Sequence, residues 1–87
     1  MEKLKVKVFV RHNLKMSTNK TAAQVAHAVV GLDVGKPEII VVLNASDKKF
    51  FEVVDKLCID GKFFYVVIDA GYTEVAPGTK TCVAFVD

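Results

Sequence analysis

This sequence has few residues that could staple, coordinate or anchor a chain. It contains two cysteines, Cys58 and Cys82, and two histidines. The cysteines match no metal-ligand spacing, and two histidines do not complete a zinc set. Both cysteines fall in predicted regular elements, Cys58 on the apolar side of a helix and Cys82 in a strand. Buried free thiols in a reducing compartment are therefore expected, and the chain is placed in the cytoplasm. No apolar run is long enough to span a membrane. The N-terminus alternates lysine with apolar residues, where a signal peptide would be continuously apolar. The Asn-x-Ser/Thr patterns at Asn19 and Asn44 are accordingly read as chance matches rather than glycan sites. Glycine and proline are also scarce, at five and two, and 52% of residues are apolar, which excludes a disordered polar chain. The formal charge of +2 neither demands nor excludes nucleic acid. Its distribution is more telling, because Lys3, Lys5, Lys7, Arg11, Lys15 and Lys20 crowd the first quarter of the chain.

What remains is one small α/β domain over residues 1–87. Leu4 to Arg11 alternates apolar and basic residues with the period of a half-exposed strand. A polar loop follows, in which Ser17, Thr18 or Asn19 can cap a helix from Lys20 to Val30 that Gly31 is placed to stop. The small residues Ala22, Ala23 and Ala26 are expected to bring this helix close to a sheet. Leu32 to Pro37 connects to a strand over Glu38 to Asn44. Its run Ile39-Ile40-Val41-Val42-Leu43 suggests a central strand covered on both faces. Ser46 caps a second helix, Asp47 to Ile59, with Phe50, Val53, Val54, Leu57 and Cys58 on its apolar side. Phe63 to Ile68 is the third strand. Ala76-Pro77-Gly78-Thr79 suits a type II turn, and Thr81 to Val86 is the last strand. The element order is β-α-β-α-β-β, which is an α/β layer structure.

The chemistry gathers where the first helix begins. Lys20, Gln24 and His27 fall within roughly 60° of one another on the helical wheel. The apolar centre lies opposite, at Ala22, Val25, Ala26 and Val29. A lysine in the first turn opposes the helix dipole, at a cost of about 0.3–1 kcal/mol. The plain reading is a solvated side chain that tolerates this cost. The sharper reading is a cation aimed at an anionic ligand or a developing oxyanion. Asn19-Lys20-Thr21 resembles the end of a nucleotide-binding phosphate loop, but both glycines of that loop are absent, which excludes an NTPase. Asp69 ends the third strand, expected to be an inner one, at the rim where open α/β sheets bind ligands. With parallel strands, Lys20 and Asp69 meet there beside Thr73, Thr79 and Thr81. Such a pair can activate water and stabilise an oxyanion, or it can be a structural ion pair. His27 is a candidate for positioning substrate or for general-base work, against the plainer role of packing or capping.

Two segments carry a family resemblance. Leu14-Lys15-Met16, followed by Lys20-Thr21-Ala22-Ala23-Gln24-Val25-Ala26-His27-Ala28, resembles the first signature of peptidyl-tRNA hydrolase of the archaeal and eukaryotic type. Asp69-Ala70-Gly71-Tyr72-Thr73-Glu74-Val75-Ala76-Pro77-Gly78-Thr79-Lys80-Thr81 resembles the second. The resemblance implies a mixed four-stranded sheet flanked by helices. It implies an enzyme that cleaves the ester between peptide and tRNA and so recycles tRNA, with no metal or organic cofactor. By motif position it makes Lys20, Gln24, Asp69, Thr73 and Thr81 the catalytic candidates. Asp69 would orient or deprotonate water, Lys20 would hold the oxyanion or a terminal phosphate, and Gln24 and the threonines would fix ester and water. Arg11, Lys15 and Lys80 are the candidates for tRNA backbone contacts. A homodimer is compatible with this reading. The chain departs from the family in two places. Ser17, Thr18 and Asn19 replace a Gly-Lys-Gly stretch, and the segment between the first helix and second strand is shorter than is usual. The competing expectation is a non-catalytic RNA- or protein-binding module that retains the same fold.

Overall fold

The first strand shows how local pattern becomes architecture. In the computed structural model, which describes residues 3–72 and 74–87, β1 (Lys5–Arg11) buries Val6, Val8 and Val10 on one face. Its other face carries Lys5, Lys7, Phe9 and Arg11, all partly buried. A 3-10 turn over His12–Leu14 then leads to α1 (Thr18–Leu32). A six-residue connection follows to β2 (Ile39–Ala45), and Ser46 caps α2 (Asp47–Ile59) by accepting from Lys49 N at 3.2 Å. β3 (Phe64–Ile68) and β4 (Lys80–Val86) complete the chain.

The sheet order is β2-β1-β4-β3. β1 pairs parallel with β2 and antiparallel with β4, and β3 pairs antiparallel with β4. β1, β2 and β3 therefore all point the same way, and their C-terminal ends share one rim with the N-termini of both helices. The mixed four-stranded sheet flanked by helices is the expected fold. The helices cover opposite faces. Ala28 and Leu32 of α1 pack on Val6, Val8, Val10, Val67, Cys82 and Ala84. Phe50 and Leu57 of α2 pack on Ala45 and Val83, with Phe9, Phe64 and Phe85 around them. Burial inside the first of these layers pushes the Cys82 thiol up to about 11, so it stays a neutral packing group.

Five expectations are corrected. The Ile39–Leu43 run is an edge strand, not a central one, with Ile40 and Val42 nearly half exposed. The antiparallel β4 occupies the place beside β1 that a third parallel strand would have taken. For the same reason β3, which leads to Asp69, is an edge and not an inner strand. Cys58 is exposed, because α2 turns Phe50 and Leu57 inward and leaves position 58 outside. Finally, α1 presents Gln24, Ala28 and Leu32 to the sheet, while Ala22, Ala23 and Ala26 face outward. Close approach is made instead at Gly31, which lies inside the helix. A Cβ there would sit 2.2 Å from the Tyr65 ring. The helix ends at Asp33, whose backbone is left-handed (φ 55°).

Candidate active site

α1 starts at the shared rim because Ser17 caps it: Ser17 Oγ accepts from Lys20 N at 3.1 Å. No acid lies within the first turn. Glu74 supplies one from across the rim. Ser17 N donates to its Oε1 at 2.6 Å and Ser17 Oγ donates to its Oε2. These bonds, side chain first and backbone second, hold the Glu74 carboxyl below its ordinary range. A carboxylate at a helix N-terminus also offsets the cost of placing Lys20 there.

One turn on, Lys20 Nζ donates to Asp69 Oδ1 at 2.7 Å, and the side chains are only 10% and 7% exposed. Gln24, one further turn along, donates from Nε2 to the same Oδ1 at 3.0 Å. Its Oε1 accepts from Thr81 Oγ1 at 2.8 Å. Thr81 has no exposed surface and Gln24 has almost none. The buried glutamine is thus bonded at both ends of its amide, which is what allows a polar side chain in the helix–sheet contact. Among the described residues, no buried side-chain nitrogen or oxygen lacks a partner.

Asp69 is fixed by its backbone as well. Its N–H donates to Thr79 O and its carbonyl accepts from Gly78 N, each at 2.8 Å. Gly78 (φ 81°) is the third residue of the turn Ala76–Thr79, closed by Thr79 N donating to Ala76 O at 3.2 Å, which is the expected type II geometry. Gly71 N donates to Asp69 Oδ2 at 2.7 Å. Gly71 has φ 83°, and a Cβ there would lie 2.5 Å from Pro77 Cγ, so only glycine fits. The Lys20 bond above all, then the Gly71 N–H, hold the Asp69 carboxyl below the ordinary carboxylate value, and burial does not offset them. Oδ1 has two donors and Oδ2 one. A carboxylate has about four acceptor positions, so Oδ2 can take one more donor.

The sequence candidates separate clearly. Lys20, Gln24, Asp69 and Thr81 form one bonded chain. His27 is exposed and lines the same cleft two turns along α1. Thr79 bonds back into its own turn through Oγ1 to Ala76 O. Thr73 lies outside the described residues. Arg11 is structurally committed. Its Nε reaches Asp47 Oδ1 at 3.0 Å, its Nη1 donates to Lys80 O at 2.9 Å, and the guanidinium lies over Phe51. Lys15 and Lys80 are exposed at the same rim. Pattern reasoning passed over Glu74 as a helix cap, although it lies inside the second motif. It also passed over Tyr65, whose contact with Gly31 no spacing rule reveals.

The profile of the family described as peptidyl-tRNA hydrolase PTH2 matches residues 4–34, from β1 to just beyond α1. The chain is 36% identical to a peptidyl-tRNA hydrolase of Haloquadratum walsbyi, over 93% of its own length and 83% of that relative. It is 38% identical to one of Methanopyrus kandleri, over 86% and 77%, and 34% identical to one of Metallosphaera sedula, over 91% and 82%. The chain belongs to the PTH2 peptidyl-tRNA hydrolase family. Within that family it is internally short. The Haloquadratum alignment spans 94 positions but takes up only 93% of 87 residues, about 81, so about 13 positions are filled in the relative alone.

Proposed function

We propose that this chain hydrolyses the ester between peptide and terminal ribose in peptidyl-tRNA, acting in the cytoplasm. The observation that carries the reading is the Lys20–Asp69 pair at 2.7 Å, almost buried at the wall of an 850 Å³ cleft, with Gln24 donating to the same oxygen. Asp69 holds the attacking water through the open position on Oδ2. With Lys20 and Gly71 bonded to it, the carboxylate is a weak base, so its main work is orientation. The water oxygen adds to the ester carbon, and the carbonyl oxygen becomes an oxyanion. Lys20 uses one of its three ammonium donors on Asp69 and has others to turn to that oxyanion. The bond to the ribose oxygen then breaks, and the proton that began on water ends on that oxygen. An aminoacyl ester is intrinsically labile, so positioning and charge suffice without a covalent intermediate.

Gln24 and Thr81 act from beneath, as positioning residues, by keeping Asp69 and Lys20 in register. Thr73 enters the proposal on family resemblance alone. Phosphate contacts fall to the exposed Lys15 and Lys80, while Arg11 braces the rim through Asp47 and the Lys80 carbonyl.

The test is hydrolysis of a purified N-blocked aminoacyl-tRNA, with Lys20→Ala as control. Cleavage by the wild type that the control loses is the expected result. The internal shortness of the chain favours one alternative, a binding module that has kept the fold. That module predicts salt-sensitive tRNA binding with no cleavage, and an Asp69→Asn variant indistinguishable from wild type.

A further inference from the structure

The cleft does not stop at Asp69. It continues between α1 and β3 as a trough past Gln24 and His27 to Val30, Gly31 and Tyr65. From Lys20 to Gly31 the helix rises about 16 Å, the length of about four or five extended residues. The Tyr65 ring closes the far end by resting on Gly31. The walls are apolar and open: Val30 is 76% exposed, Ile68 62% and Tyr65 41%. Isolated apolar side chains on a surface need no explanation, but these converge on one concavity that begins at the reacting groups.

We propose that this trough is the seat of the peptide portion of the substrate, with Tyr65, Val30 and Ile68 as its specificity-determining residues. The inference rests on the hydrolase reading above. Charge decides which half of the substrate enters. Among the described residues, the only lysine or arginine lining the trough is Lys20, and it is paired with Asp69; Glu74 adds a second carboxylate at the mouth. A strand of tRNA phosphates would meet no free cation there, whereas Lys15 and Lys80 stand on the rim outside it. A peptide carries no obligatory charge and presents side chains that apolar walls can hold. β3 is an edge strand, so its outer backbone groups have no strand partner and can bond an extended peptide whatever its sequence.

Two substrates on the same tRNA test this: an N-acetyl-aminoacyl ester, which reaches only the mouth, and an apolar pentapeptidyl ester, which fills the trough. The readout is the ratio of their kcat/KM values on one preparation, so loss of folded protein cancels. The wild type is expected to favour the longer substrate. Tyr65→Ala is expected to lower that preference about tenfold through KM, as the loss of one aromatic contact would. Gly31→Ala keeps the helix but displaces the ring, and should shift the ratio the same way. Val30→Lys should favour pentapeptides carrying an acidic residue. Equal changes on both substrates, or a Val30→Lys variant that tightens both alike, would place tRNA in the trough and overturn the inference. A wild type that cleaves neither substrate overturns the hydrolase reading, and the inference with it.

Discussion

Thr81 Oγ1 donates to Gln24 Oε1 across 2.8 Å, and this bond fixes the direction of the glutamine amide. Asp69, ionised, only accepts, so the amide must turn Nε2 towards it. That leaves Oε1 to receive the threonine proton. One hydroxyl on β4 thus sets the orientation of a side chain on α1, which in turn steadies a carboxylate at the end of β3. Thr81→Val removes the donor and keeps the shape. We expect kcat to fall about tenfold, a neutral hydrogen bond's worth, with KM little changed and Thr81→Ser restoring most of the rate. Single-turnover hydrolysis measures it.

In the proposed mechanism Lys20 is the cation that stabilises the oxyanion, so Lys20→Ala should lower kcat by about 10²–10³-fold, the usual effect of deleting an oxyanion donor. Lys20→Arg keeps the charge but puts a planar fork where a compact ammonium sits, and should recover only part of the rate. Parallel circular dichroism melts separate this loss from unfolding.

The depressed carboxyl values set the response to acid. Asp69, Glu74 and Asp87 are each held down in the folded chain, by Lys20, Ser17 and Lys5 respectively. A group depressed on folding stabilises the fold above its unfolded value and stops doing so as pH falls through its folded one. On account of these groups, urea midpoints should hold from pH 7 to about 5 and decline below about pH 4. Glu74→Gln should soften the decline. The hydrolysis rate should show no acidic limb from Asp69 above about pH 4.

Salt separates rim cations that face solvent from those already engaged. Lys15→Ala and Lys80→Ala should each reduce the slope of log binding constant against log salt by about 1 for tRNA. Arg11→Ala should leave that slope nearly unchanged and lower thermal stability instead, because it unpairs Asp47 and uncovers Phe51. Filter binding across a salt series, with melts of the same proteins, distinguishes the two.

Much of this arrangement was legible in the residues. The alternation of β1, the Ser46-capped second helix and the Pro77-Gly78 turn depend on neighbours a few positions away, and all are as expected. So is the meeting of Lys20 with Asp69, because the strands that lead to them point the same way. What local pattern could not resolve was which strand lay beside which. An apolar run such as Ile39–Leu43 looks the same at an edge as in the middle, and only the insertion of β4 decided the matter. The facing of α1 differs from expectation for a related reason. Alanines line the outer side, and the inner side holds a glutamine whose partner, Thr81, is 57 residues away.

The sheet order also bears on when this protein comes into being. β4, the fourth strand in chain order, inserts between β1 and β3, pairing Val6 with Val86. Until it is made, the first and third strands have no common neighbour, and Gln24 lacks the Thr81 hydroxyl that orients it. Such long-range pairing is slow to form. The sheet cannot close piecemeal during synthesis. A machine proposed to act on the products of translation would itself become active only after its fourth strand had been translated.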